Sequence, residues 1–362
     1  MTSAELIVNG QIYGGWKSVR VTRGMEQMAG AFDLEVTDRW PGDGVIRDWP
    51  IRAADACQVR LDGKPAITGY VDAVEVGLDV GGTSVRVSGR DRTGDLVDCS
   101  AVHAGQWASR ALSAIARELA KPFGIEVVAK ADGKLASFSL QEGETVFEAL
   151  ERAARQVGVL LTSDTEGRLL LTRTGAVRVP VDLVQGVNIL RANGTFGVNE
   201  RFSQITIKGQ GRGEDEGQAK ATARDAEIGR YRPLVVIAEE QQGAQVSLKR
   251  RAEWEKNVRA GRGSRADVTV QGWSHADGLW LPNHRVRVDA PAIRAQAELI
   301  IVVCTYVLDA SGSRTELSLA DPRAFDLIAG VAGTRLNRAI KGRDGAAIAV
   351  KDGFKDNKDK KK

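Results

Sequence analysis

The chain has 362 residues, 43% of them hydrophobic, with 40 glycines, 5% aromatics and a formal charge of +4. That length suggests two or three domains, and that hydrophobic content excludes a wholly disordered protein. The charge is uneven: residues 334–362 hold ten Lys/Arg against four Asp/Glu, so this tail carries +6 and residues 1–333 about −2 (4 minus 6).

The first ninety residues predict strands. Asn9-Gly10 is a hairpin turn between Leu6-Ile7-Val8 and Ile12-Tyr13. Val19 and Val21, then Phe32, Leu34 and Val36, then Val85 and Val87 alternate with polar residues. Period two puts one face in a core and the other in water, as in a small barrel or sandwich. After Gly94 the pattern changes. Trp107, Leu112, Ile115 and Leu119 predict a helix over 106–121, stopped by Pro122. A second helix is expected over 144–158, with Thr145 as N-cap and Gly158 as its stop. The next fifteen residues predict a hairpin turning at 164–167. Strands resume at 201–209 and in RYRPLVVIAEE, separated by a polar loop expected to be exposed. A helix is expected over 244–260 with Val246, Arg250, Trp254 and Val258 on one face. Val286 and Val288 alternate in a further strand, and 299–308 is a long apolar one. The lysine-rich end cannot pack a core and is expected to be disordered.

One faint internal echo is visible, of a kind any β hairpin can show. Thr68-Gly-Tyr-Val-Asp, a glycine turn and Val85-Arg-Val-Ser-Gly-Arg-Asp resemble Thr305-Tyr-Val-Leu-Asp, a Ser/Gly turn and Thr315-Glu-Leu-Ser-Leu-Ala-Asp. The chain thus divides into a first β-barrel at 1–93, an α/β insert at 94–175, and connecting strands, loop and helix at 176–265. A second β-barrel at 266–325 and a basic tail at 326–362 follow. The expected fold class is mainly β with an α+β insert between two related β domains; that these are two related small β-barrels of the tube type beside a peripheral α/β domain is what a family resemblance of the chain implies.

Chemistry is sparse. Cys57, Cys99 and Cys304 are odd in number and form no CxxC, so reduced, buried thiols are expected. His103, His275 and His284 have no partner at a recognised spacing. There is no GxSxG, HExxH or GxxxxGK[ST] motif. Gly209, Gly211 and Gly213 follow a strand, but Glu214 stands where a dinucleotide loop needs its last glycine. The paired carboxylates Asp164/Glu166 and Glu239/Glu240 read as solvated turn or surface charge. The N-terminus lacks a secretory pattern and no run of about 18 apolar residues occurs, so neither export nor membrane insertion is expected. The chain reads as a non-enzyme with no catalytic, metal or cofactor-binding residue and no cofactor. Its densest motif, SGRDRTGDLVDCSAV, reads as a domain junction. Gly89 and Gly94 permit turns, Thr93 caps a short helix, Arg90, Asp91 and Arg92 pair with neighbours to fix the exit angle, and Asp95 completes the motif.

That motif resembles the segment leaving the first β domain in baseplate hub proteins of Mu-like contractile-tailed phages. GGWKSVRVTRGMEQMAGAFDLEV, GYVDAVEV, GETVFEALERAARQVGVLLTSDTEGRLLLTR, ERFSQITIKGQGR, RYRPLVVIAE and DGLWLPNHRVRVDA resemble family segments in the same order, covering about 1–325. Broader relatives are late control D-type tail proteins and the hub part of type VI secretion spikes. The resemblance implies a virion protein, made in the bacterial host cytoplasm, that forms a homotrimer. Six barrels from three chains then join a six-fold tube to a three-fold spike, with DNA only in transit. Implied partners are the tail tube or distal tube protein, the central spike, other baseplate proteins and the tape measure protein. The loop 211–229 and the tail depart from the family. A type VI-like or domesticated injection particle is the alternative; the absence of a β-helical needle favours a separate spike. A cell-wall hydrolase is a third reading, unsupported by any lysozyme-like segment.

Because its composition cannot offset ordering entropy, deletion of 340–362 is expected to leave melting temperature and oligomer size unchanged. A large loss of stability would show that the tail is docked.

Overall fold

The computed structural model describes residues 3–38, 50–79, 82–209, 220–237 and 248–327; the expectation for the tail lies outside them. The protein is mainly β with an α/β insert, the expected fold class.

The first β region comprises β1 (Ala4–Val8), β2 (Gln11–Tyr13), β3 (Ser18–Gly24), β4 (Ala31–Asp38), β5 (Ala56–Leu61), β6 (Lys64–Asp79) and β7 (Gly82–Asp91). Asn9 and Gly10 both take positive φ, as a tight hairpin with right-handed strand twist requires. Val19, Val21, Leu34, Val85 and Val87 are buried, so the period-two pattern does face a core.

The insert holds α1 (Gly94–Asp98), β8 (Gln106–Ala111), α2 (Leu112–Ala120), β9 (Val127–Ala129), β10 (Lys134–Ser139), α3 (Val146–Val157), β11 (Leu160–Ser163) and β12 (Leu169–Thr172). Thr145 and Glu148 form a reciprocal capping box on α3, and Gly158 ends it in the left-handed region. The helix expected over 106–121 is only partly there. Its first six residues are β8, paired antiparallel with β10. Trp107 precedes Leu112 by five positions, which breaks helical spacing. The Trp107 indole instead donates to Glu118 on α2 (2.6 Å) and packs against Phe138.

Next come β13 (Val177–Arg178), β14 (Leu183–Val184), β15 (Ile189–Phe196), β16 (Gln204–Lys208), β17 (Lys220–Arg224), β18 (Pro233–Ile237), α4 (Leu248–Arg262), β19 (Ser264–Gln271), β20 (Ser274–His275), β21 (Gly278–Leu279), β22 (His284–Ala290), β23 (Ala295–Asp309) and β24 (Gly312–Ala320). β17 lies in the stretch expected to be loop. Its Ala223 packs with Ile205, Ile207 and Ala252 of α4, a contact too small to give an apolar signal. On α4, Trp254 and Val258 are buried as expected. Arg250 is exposed, because the buried face runs through Ala252, Glu255 and Gly261; Val246 lies outside the described residues.

Both β regions belong to one 14-stranded sheet, in the order β15-β19-β24-β23-β3-β4-β7-β6-β5-β1-β2, with β13 and β14 on β22. The join is β23 with β3, antiparallel, from Val303↔Gly24 to Leu308↔Val19. One apolar core runs under both regions, while the insert has its own.

The echo is a register-for-register repeat. Hairpins β6–β7 and β23–β24 are a constant 230 residues apart: Asp79↔Gly82 corresponds to Asp309↔Gly312, and Glu75↔Arg86 to Thr305↔Glu316. Both carry a bulge at the same place, between Val71/Ala73 and between Ile301/Val303. The second strands align as expected. The first strands do not: Thr305 corresponds to Glu75, not to Thr68, seven residues away. Both hairpins end on an aspartate that receives the backbone N–H two residues on, Thr93 to Asp91 (3.0 Å) and Arg323 to Asp321 (2.9 Å).

Deep in the second region, Trp273 donates to the Val307 carbonyl (3.1 Å) and the Tyr306 hydroxyl donates to Trp280 O. His275 stacks edge-on against Trp280. Burial, with smaller contributions from His275 and Lys130, lowers the pKa of His284 from 6.5 to about 4. Between those values the unfolded chain takes up a proton that the native state refuses, so this group's contribution to stability falls as pH drops from 6.5 towards 4. His284→Asn is expected to flatten that part of the pH dependence in urea unfolding at pH 7 and pH 4.5; an unchanged slope would refute the assignment.

Candidate functional site where the three regions meet

β3 places Arg23 at an inward position, because Val19 and Val21 set the buried side and Arg23 continues it. β7 ends on Asp91 and β11 ends on Ser163. These three side chains meet. Arg23 is 3% exposed and Asp91 1%. Their charged atoms lie 3.9 Å apart, Arg23 Nη1 to Asp91 Oδ2. Arg23 also donates to the Ala66 carbonyl (3.0 Å), the Ser163 carbonyl (2.7 Å) and Ser163 Oγ (3.2 Å). Asp91 accepts from Gly30 N (2.7 Å), Ser163 Oγ (2.6 Å), Thr93 N (3.0 Å) and the Thr93 hydroxyl. Four donors therefore satisfy both carboxylate oxygens, as a buried charge requires. Arg23 is at the same time opposite Cys304 across the β3–β23 join, and burial raises the Cys304 and Tyr306 pKa values well above their ordinary ranges.

Around this cluster the expected junction residues divide. Arg90 forms an exposed pair of bridges to Asp72 (2.7 Å) and Asp98 (2.7 Å). These hydrogen bonds raise the Arg90 pKa and lower that of Asp98. Burial raises the pKa of Asp95, which makes no ion pair of its own among the described residues. Thr93 is at the N-cap position of α1, but its hydroxyl goes to Asp91 and the Met28 carbonyl (3.2 Å), so it does not cap. Gly89 is not a turn residue. It lies within β7, where a Cβ would come 2.1 Å from the Tyr70 carbonyl and 2.6 Å from the Phe32 ring. Gly94 opens α1, and a Cβ there would meet Arg90 only at ordinary contact, 3.5 Å, so it is not required for a turn. The exit is held further on by Ala101 N to Glu144 O (2.9 Å) and Val146 N to Cys99 O (3.1 Å). Cys99 is exposed, against expectation, while Cys57 and Cys304 are buried. The junction reading overlooked Arg23 and Ser163. An arginine at an inward position of an alternating strand was the available signal for the first; nothing local marks the second.

Other features offer little chemistry. A cavity of about 720 Å³ over β8, β10 and α3 is lined by Trp107, Phe138 and Arg152, and its lining holds no acid, histidine or cysteine. Among the described residues, no group of three or more His, Cys, Asp or Glu could hold a metal ion, and no helix is long and apolar enough to cross a membrane.

Four family models match along the chain. "Mu phage baseplate assembly protein GpP-like, N-terminal" matches residues 3–91, and "Baseplate hub protein gp44-like, second domain" matches 93–173. "Tail protein NMB1110-like, third domain" matches 201–254, and "Mu phage baseplate assembly protein GpP, fourth domain" matches 244–328. The chain is 35% identical over 339 residues to baseplate hub protein gp44 of Escherichia phage Mu, covering 88% of each. It is similar to the crystal structure of the prophage MuSo2 43 kDa tail protein from Shewanella oneidensis, at 38% identity and TM-score 0.81, over 90% of this chain and all of that one. A tail protein from Neisseria meningitidis MC58 matches at 25% identity and TM-score 0.74, over 89% and 99%.

Removing one partner of a buried pair strands the other charge. Asp91→Ala is therefore expected to cost about 3–5 kcal/mol in urea unfolding, whereas Asp98→Ala, at an exposed bridge, should cost about 1 kcal/mol or less. Equal effects would remove the cluster from its central place.

Proposed function

Because the chain belongs to the family of Mu-like phage baseplate hub proteins, structural components of the tail in the virion, we propose that it is a homotrimeric adaptor. In this reading it joins a six-fold tail tube above to a three-fold central spike below. The observation that supports it best is the internal repeat. Two hairpins with identical register and bulge, 230 residues apart, lie in one sheet with β3 and β4 between them. A chain carrying one element twice presents six copies when three chains close a ring. The units we propose are a first β domain at 1–93, an insert at 94–175 and a second β domain built from 176–325.

The tube and spike proteins, other baseplate proteins and the tape measure protein are the proposed partners. DNA passes through without being held. A lining ring of lysines would retain phosphates, and residues 1–333 carry only about −2 (4 minus 6), which suits passage. The insert, with its separate core, is proposed to stand outside the channel wall. We propose no enzymatic activity: in the Arg23–Asp91–Ser163 cluster both carboxylate oxygens of Asp91 are taken by protein donors, and the three residues are buried away from any substrate.

Light scattering of the purified protein is expected to give about three times the 38.9 kDa chain mass, with a three-lobed ring in negative stain, since cyclic closure leaves no open ends. A monomer at every concentration that binds neither tube nor spike protein would sink the reading.

A further inference from the structure

β16, β17 and β18 form a three-stranded sheet of their own, in the order β17-β16-β18. Its inner face carries Ile205, Ile207, Ala223, Leu234 and Val236 and packs on α4. Successive side chains of a strand point to opposite faces, so the register fixes what the outer face holds. Across β16 and β17, Gln204 is opposite Arg224, Thr206 opposite Thr222 and Lys208 opposite Lys220. On the other edge of β16, the same three residues lie beside Pro233, Val235 and Ile237. The outer face is therefore a grid of three rows, with cations at both ends of β17 and an aliphatic column along β18.

This grid lies in water. Lys208, Lys220, Thr222, Arg224 and Pro233 are exposed, and Val235 and Ile237 are 56% and 65% exposed. Its middle row is joined by the Thr206 and Thr222 hydroxyls, 3.1 Å apart. Lys208 and Lys220 stand directly opposite each other, where like charges destabilise a strand pair. Among the described residues, neither lysine nor Arg224 pairs with an acid. The nearby Asp225 and Glu227 are both held by Arg201, at 2.8 Å and 2.6 Å. The face thus keeps a repulsive pair of cations with no countercharge, beside a column of aliphatic side chains with no charge at all.

We propose that this face docks an acidic polypeptide segment of a partner protein, with carboxylates on Lys208, Lys220 and Arg224 and aliphatic side chains on Val235 and Ile237. A carboxylate placed between Lys208 and Lys220 removes their repulsion, so docking turns one unfavourable cross-strand pair into two favourable contacts. The cations select the sign of the partner and speed encounter, while the aliphatic column supplies apolar area to bury. A nucleic acid fits less well. Single strands are held by aromatic stacking platforms as well as cations, and the grid contains no aromatic ring. Tyr231, two residues before Pro233, is a lone ring outside it. The grid is complete within one chain, so a trimer is not needed to form it.

Fluorescence anisotropy with a labelled synthetic peptide of alternating Glu and Val tests the face in the full-length protein. The peptide is expected to bind, and a Lys-Val counterpart to bind at least about tenfold more weakly. Lys208→Glu should weaken the Glu-Val peptide at least about tenfold while holding or raising the melting temperature, because it sets opposite charges across the two strands. Lys220→Gln, a milder change of the same pair, should act in the same direction, and so should Val235→Ser on the aliphatic column. No binding of the Glu-Val peptide, or equal binding of both peptides, overturns the proposal. Binding that survives both lysine variants lies elsewhere on the chain, such as the basic tail, and overturns it as well. A single-stranded oligonucleotide that displaces the peptide at lower concentration than unlabelled peptide does would assign the face to nucleic acid instead.

Discussion

One buried ion pair fixes how the regions meet. Arg23 comes from the strand at the sheet join, Asp91 from the last residue of the first hairpin, and Ser163 from the insert. Either charge would be costly alone in the interior, and each of the three side chains is in contact with the other two. Arg23 reaches the Ala66 and Ser163 carbonyls as well as the carboxylate. A small rotation of the insert about its junction would therefore strand a charge as well as lose packing. The exposed Arg90 bridges to Asp72 and Asp98 lie in water and add little to this. In a joint of this kind a wrong docking angle is penalised electrostatically.

The same strand carries the second constraint. β3 is paired to β4 on one edge and to β23 on the other, so the two copies of the repeat share a continuous ladder of backbone hydrogen bonds. The copies have diverged where their surroundings differ. Residues 302–309 (VVCTYVLD) are apolar because the hairpin is buried between β3 and the core. Residues 72–79 (DAVEVGLD) hold the same register with smaller and more polar side chains. Backbone geometry is the shared property, and side-chain identity follows burial. That is why the echo in sequence was faint, and why its first strand aligned seven residues out of register.

Elements whose signal is local were legible in the sequence. Alternating valines located β3, β7 and β22, and Thr145 as N-cap with Gly158 as stop located α3 to within two residues at either end. Elements stabilised by distant partners were not. β8 exists because Trp107 has Glu118 and Phe138 to meet, and β17 because an alanine fits against α4. The junction motif was legible as a dense polar segment, and Asp91 is indeed at its centre. Its decisive partners lie 68 residues earlier and 72 later, where no spacing rule could bring them forward. Thr93 shows the limit of a local rule: it has the right position for a cap, but a stronger acceptor, the Asp91 carboxylate, takes its hydroxyl.

Asp91 and Asp321 show how one repeated element comes to hold two roles. Each closes its hairpin and receives the N–H of the residue two positions on, so the backbone turn is the use the two carboxylates share. At Asp321 the remaining capacity goes to its neighbour Arg323, in partial contact with solvent, and the chain proceeds into a 3-10 turn packed near α4. At Asp91 the insert covers the site. The remaining capacity then goes to Gly30 N and Ser163, with Arg23 supplying the countercharge. The insert thus docks on a turn the repeat already possessed. An arginine at an inward position of β3, a serine at the end of β11 and the Gly30 N–H distinguish this joint from the simple turn at Asp321.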